Sequence, residues 1–334
     1  METNKSRIGT DIDFDLDGFQ TGTLRVPHSV DRSAYGYIPI PIAVLRNGDG
    51  PTVLLTGGTH GDEYEGPLAL MKLLQRMPTM RITGRIIVVP GLNFPAFLAG
   101  KRNSPIDDAN MARVFPGKRD GSITEVIAHY VDTELVPRAD YIFDIHSGGA
   151  SLNYMPTLLL FPPEAPDTRA SYFQLANRLG APRAMAIDLL GEDRIFAASA
   201  HRHGKPIFGG EFGGFATCHP LYLAIVEEAV SRLLKEVGVA PEEHVSHEPN
   251  RTQMLTMKGS SSYVYCPTPG IFEPVVELGQ PVKNGDLIGR VYNPHMPWAA
   301  PLEMGAKTDG MVVCIRSYAG VEPGDNLVVV ATDA

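Results

Sequence analysis

Short apolar runs that alternate with helical periodicity limit what this chain can fold into. Val53–Leu55, Gly84–Pro90 and Tyr141–His146 carry consecutive apolar side chains, as strands covered on both faces require. Leu158–Phe161 and a short Pro206–Phe208 extend the set. Between them Leu68–Leu74, Thr124–Leu135, Tyr172–Leu179 and Leu221–Val237 read as helices. Such alternation predicts an α/β unit with a mainly parallel or mixed sheet flanked by helices. Ahead of it, Gly22–Val26 and Tyr35–Val44 read as further strands. Pro39 and Pro41 lack the N–H that a central strand donates, so Tyr35–Val44 is expected at a sheet edge.

The pattern changes near residue 240. Pro241–Arg251 is a polar connection, and beyond Met254 the chain reads as short strands joined by glycine turns, as in Gly270–Gly289, Asp309–Val313 and Val321–Val330. The expected organisation is an α/β unit over 1–245 and a smaller all-β, barrel-like unit over 246–334. The second unit resembles the lipoyl/biotinyl carrier fold. A carrier needs a lysine at the tip of one hairpin, and Asn293–Leu302 has none, so no covalent cofactor is expected there.

Charge narrows the partners. With 29 basic and 38 acidic residues the net charge is −9, which argues against a nucleic-acid-binding surface. No apolar run reaches membrane-spanning length, and the polar start has no signal-peptide core. Cys218, Cys266 and Cys314 are scattered and odd in number, which fits free thiols in a reducing compartment, with the cytoplasm as the expected location. Assembly into a homo-oligomer stays open.

Chemistry concentrates where strands end. After Val53–Leu55, Gly57 and Gly58 free the backbone, and His60 and Glu63 follow before the helix. Three residues apart, an imidazole and a carboxylate can converge on one ion, or both can belong to a solvated loop. His146, ending its own strand before small residues, is the natural third ligand. Asp144 shares the strand face of His146, either to orient it or to be satisfied by backbone N–H groups. Glu211 lies among glycines after Pro206–Phe208, near Phe208, Phe212 and Phe215. It stands either as a desolvated general base beside a metal or as a turn residue facing solvent. Residues 100–118 form a long polar loop with Lys101, Arg102, Arg113 and Lys118, a solvated face or a clamp for a carboxylate.

Four motifs in order carry a resemblance. Gly57-Gly-Thr-His-Gly-Asp-Glu63, Asn110-Met-Ala-Arg-Val-Phe-Pro-Gly117, Asp144-Ile-His-Ser-Gly148 and Gly210-Glu-Phe-Gly213 are similar to those of the succinylglutamate desuccinylase/aspartoacylase family, a deacylase branch of the zinc carboxypeptidase fold. The similarity spans roughly residues 50–230. It implies one Zn²⁺ per chain on His60, Glu63 and His146, with Glu211 as general base and later proton donor. It further implies that Arg102 polarises the scissile carbonyl and that Arg113 binds the substrate carboxylate. The implied substrate is a small N-acyl amino acid, and the long loop and β unit resemble most the bacterial N-acetyl-L-2,4-diaminobutyrate deacetylases of ectoine degradation.

One position departs. The family carries Asn immediately before this arginine, whereas here Ala112 precedes Arg113. The missing amide removes a hydrogen bond of about 0.5–1.5 kcal/mol. Asn110, two residues away, is the candidate to replace it. The competing readings are a zinc carboxypeptidase acting on peptides and a non-catalytic binding protein.

Overall fold

The computed structural model describes residues 6–187, 192–245 and 252–334. Its first part runs β1 (Gly9–Thr10), β2 (Gly18–Pro27), β3 (Tyr37–Asn47), β4 (Thr52–Gly57), α1 (Glu65–Arg76), β5 (Gly84–Val89), α2 (Phe94–Ala99), α3 (Ile123–Tyr130) and β6 (Tyr141–His146). The second runs β7 (Leu152–Tyr154), β8 (Thr157–Leu160), α4 (Pro166–Arg178), β9 (Arg183–Ala186), α5 (Phe196–Arg202), β10 (Ile207–Glu211) and α6 (Pro220–Glu236). The third is all strand: β11 (Gln253–Thr256), β12 (Tyr263–Tyr265), β13 (Gly270–Pro274), β14 (Pro281–Val282), β15 (Leu287–Tyr292), β16 (Leu302–Gly305), β17 (Gly310–Arg316), β18 (Gly320–Val321) and β19 (Asn326–Asp333).

The main sheet has the order β1-β2-β3-β5-β4-β6-β10-β8-β9-β11-β19-β17-β14. It is mixed: β5, β4, β6 and β10 are parallel neighbours, while β8 runs antiparallel to β10. Period-two alternation feeds two cores. Leu54, Ile142 and Ile207 enter one core with Ile127 and Val131, beside α3, and Phe196 of α5. Their neighbours Val53, Leu55, Phe143 and Phe208 enter the other with Leu70 and Leu73 of α1 and Val230 and Leu233 of α6. Both faces are therefore covered, which is why these strands are apolar throughout.

Two expectations are corrected. Tyr37–Asn47 is an interior strand, lying between β2 and β5. Its prolines are tolerated because only Ala43–Asn47 pairs with β5, whereas Pro39 and Pro41 pair on the β2 side alone. The second correction concerns Gly209, Gly210 and Glu211. They are strand residues, aligned with Asp144, Ile145 and His146 of β6, and not a turn after a shorter strand.

The C-terminal strands continue the same sheet. β11 runs parallel to β9 and pairs with β19, while β7 reaches out of the α/β region to pair with β17. A second sheet, β16-β15-β13-β18, packs over this end through Phe272, Ile288 and Val291 against Val312 and Val328. The division expected at 245/246 falls against residues 246–251, outside the described residues, as does the end of the polar connection Pro241–Arg251.

Candidate active site

Three parallel neighbours end at one place. β4 delivers Gly57 to the turn that carries Thr59 and His60, β6 ends on His146, and β10 ends on Glu211, paired with His146. The turn is dense. Gly58 takes φ 68°, and a Cβ on Gly61 would lie 1.9 Å from the Ala96 carbonyl oxygen, so only glycine fits there. Asp62 Oδ2 accepts the Ala150 N–H at 2.7 Å, which binds this turn to the loop after β6.

His60, Glu63 and His146 meet, with ligand atoms within 4.8 Å of one another. The two carboxylate oxygens of Glu63 face one imidazole each: Oε1 lies 2.7 Å from His60 Nδ1 and Oε2 lies 2.8 Å from His146 Nδ1. The far nitrogens are also committed. His146 Nε2 lies 2.8 Å from Asp144 Oδ2, and His60 Nε2 lies 3.1 Å from Asn110 Oδ1. Asp144 is held in turn by the hydroxyls of Thr56 and Thr59, which donate to its Oδ1 at 2.7 and 3.0 Å. Acceptors at both Nε2 atoms favour the Nε2–H tautomer and leave both Nδ1 lone pairs aimed at Glu63.

The electrostatics follow from burial and pairing. Burial pushes the Glu63 carboxyl up, but the imidazoles of His60 and His146 outweigh it and hold it well below the usual range. Burial pushes His146 down, and Asp144 and Glu63 overcome it and raise it well above an ordinary histidine. Each short Nδ1–carboxylate contact needs a positive charge between its partners, which a proton supplies and a divalent cation can replace. The donor set, two imidazoles and one carboxylate, is one that Zn²⁺ accepts. Glu211 differs. Burial, followed by the negative charge of Glu63, pushes its carboxyl up to about 8, and its Oε2 is buried with no hydrogen-bond partner. Of the phenylalanines near it in the chain, Phe208 and Phe212 are buried in the core beside α1 and α6, and Phe215 is 55% exposed.

A cavity of about 350 Å³ opens in front of this cluster. Arg102 borders it, with its guanidinium 3.5 Å from Glu63 Oε1, and so does Arg113. Asn110 is placed elsewhere. Its side-chain oxygen accepts the Ala112 N–H at 2.9 Å and faces His60, so it stands behind the imidazole and not on the cavity wall. Four residues on the wall gave no signal in the chain: Tyr154, Met257, Tyr263 and Val329. The last three lie in the C-terminal region, whose strands close one side of the cavity. Glu192 is a fifth, near Arg113 and gripped by Arg194. No local spacing marks them, because each arrives through long-range pairing or a loop.

Fold and site define a hydrolase of the deacylase type, with a triad able to hold a metal at the strand ends. The chain belongs to the succinylglutamate desuccinylase/aspartoacylase family, whose catalytic domain matches residues 49–237. It is 40% identical to the N-alpha-acetyl-L-2,4-diaminobutyric acid deacetylase of Halomonas elongata, over 98% of this chain and 95% of that protein. Among solved structures, the product-bound ectoine utilization protein EutE (DoeB) from Ruegeria pomeroyi superposes with a TM-score of 0.94. It is 36% identical, covering 98% of this chain and 99% of the other. A succinylglutamate desuccinylase/aspartoacylase from Rhodobacter sphaeroides has a TM-score of 0.91 at 34% identity, covering 98% and 100%. No helix among the described residues is long and apolar enough to cross a membrane.

Proposed function

We propose that this protein is a zinc-dependent deacetylase of a small N-acyl amino acid, and that its substrate is N-acetyl-L-2,4-diaminobutyrate. The observation that carries the reading is the pair of histidine Nδ1 atoms converging on Glu63, beside a half-buried Glu211 whose Oε2 is buried and unpartnered. His60, Glu63 and His146 would hold the ion. Bound there, zinc supplies Lewis acidity and a water acidic enough to act as nucleophile near neutral pH.

The chain's own groups do the rest. Glu211 accepts the proton of the attacking water and then returns it to the leaving amine nitrogen. Its raised pKa comes partly from the charge of Glu63, and a cation on that carboxylate offsets this cause, favouring the ionised base. Arg102 donates to the acyl oxygen as negative charge develops on it. Arg113 binds the α-carboxylate without the amide that Ala112 lacks. The products are acetate and the free amino acid.

The size of the cavity supports a small substrate over a peptide, since about 350 Å³ suits a single acyl amino acid. Free Cys218, Cys266 and Cys314 support a reducing, cytoplasmic setting. The test is amine release from N-acetyl-L-2,4-diaminobutyrate, N-acetylaspartate, N-succinylglutamate and a short peptide, before and after chelation and zinc return. Chelator-sensitive turnover of the first is expected. Turnover of the peptide alone would move the protein to the carboxypeptidases, and none at all with zinc bound would favour a binding protein.

A further inference from the structure

Three carboxylates border the cavity among the described residues: Asp144, Glu211 and Glu192. Asp144 is consumed by His146, Thr56 and Thr59, and Glu211 faces the reacting centre. Glu192 has no such duty. It lies across the cavity edge from Arg113, with its Oε2 3.9 Å from Arg113 Nε, too far for a hydrogen bond.

Arg194 fixes the orientation of this carboxylate. Its Nε donates to Oε1 at 3.0 Å, its Nη2 donates to Oε2 at 2.9 Å, and its backbone N–H donates to Oε1 at 3.0 Å. A carboxylate oxygen accepts about two hydrogen bonds. Oε1 is therefore filled, while Oε2, the atom nearer Arg113, keeps one position open among the described residues. A guanidinium and a held carboxylate thus stand side by side at the cavity edge. They match a ligand carrying one anionic and one cationic group a short chain apart. In an α-amino acid with two methylenes before its side-chain ammonium, carboxylate and ammonium are separated by roughly 5 Å.

The geometry points to Glu192 as a specificity-determining residue that accepts the side-chain ammonium of the substrate while Arg113 takes its α-carboxylate. This rests on the deacetylase reading above and adds the group that selects a cationic side chain. When the substrate carboxylate occupies Arg113, that guanidinium no longer draws on Glu192, and the ammonium inherits the open position on Oε2.

The test is steady-state kinetics of the zinc-loaded full chain on two substrates of equal shape, N-acetyl-L-2,4-diaminobutyrate and N-acetyl-L-norvaline, which carries a methyl where the first has its ammonium. Glu192→Gln should lower kcat/KM for the diaminobutyrate about 10- to 100-fold, mainly through KM, and leave norvaline within about threefold. Norvaline turnover also reports that the variant is folded. An equal fall for both substrates would reduce Glu192 to a support for Arg113, and no change for either would place it in solvent. Both outcomes overturn the inference while wild-type turnover of the diaminobutyrate leaves the deacetylase reading intact. A wild-type protein that ignores the diaminobutyrate overturns both.

Discussion

The two ends of the cavity are built differently. At the inner end His60, Glu63, His146 and Asp144 sit at or just beyond strand ends, are buried or nearly so, and are linked by contacts of 2.7–2.8 Å. At the outer end Glu192 comes from a loop and Arg113 from a single 3₁₀ turn, and the Arg113 side chain is 50% exposed. The inner groups tolerate no displacement, since an ion or a proton must fit between atoms already in place. The outer groups need only present charge to a ligand that varies. On the proposed reading the sheet ends position most of the chemistry, with Arg102 reaching in from its loop, and selection is left to Arg113 and Glu192.

Breaking the inner end should have the largest effects. His146→Ala removes one of the three proposed ligands, so zinc content is expected to fall to near zero and turnover with it. Full zinc by elemental analysis would strike His146 from the ligand set. Next, Glu211→Gln should keep the ion and lose kcat by about 10²–10⁴-fold. A variant working at near wild-type rate would leave the base unassigned. Asp144→Asn replaces the acceptor behind His146, and zinc affinity should weaken about 10- to 100-fold with most of kcat recovered at saturating metal. Unchanged affinity in a competition titration with a chelator would argue that Asp144 serves the backbone turn instead.

At the outer end the effects should be smaller and confined to binding. Arg113→Lys keeps the charge but loses the planar fork, so KM should rise about tenfold at nearly constant kcat. A fall in kcat with constant KM would move Arg113 into the chemistry and dissolve the contrast between the two ends. The last test concerns the metal-free protein. Glu211 has a folded pKa of about 8, above the roughly 4.3 of an unfolded glutamate. Between those values the folded state binds more protons than the unfolded, so stability should fall as pH rises from 5 to 8. Melting curves of the metal-free Glu211→Gln variant should show a flatter dependence over that window, and an identical slope would mean that Glu211 does not titrate as assigned.

Legibility followed the same division. The strands at Val53, Gly84 and Tyr141 were readable because burial on both faces leaves consecutive apolar residues, and a functional histidine beside such a run stands out. Asp144 was readable through the two-residue strand period that puts it on the face of His146. The Pro39–Pro41 strand was misplaced because proline reports only local hydrogen bonding. It cannot reveal that half of an interior strand is unpaired on one side. Glycines suggested a turn at 209–210, whereas the sheet holds them in register with β6.

By itself the sequence determined the α/β alternation and the all-β end, because each leaves a periodic pattern within a few tens of residues, and it marked His60, Glu63, His146 and Glu211 by their places at or near strand ends. Only the tertiary structure decided that Asn110 faces His60, that Tyr263 and Val329 wall the cavity, and that Glu192 stands beside Arg113. Those contacts join residues from about 50 to 270 positions apart. Their partners are chosen by sheet order and loop packing, which no local pattern of side chains encodes.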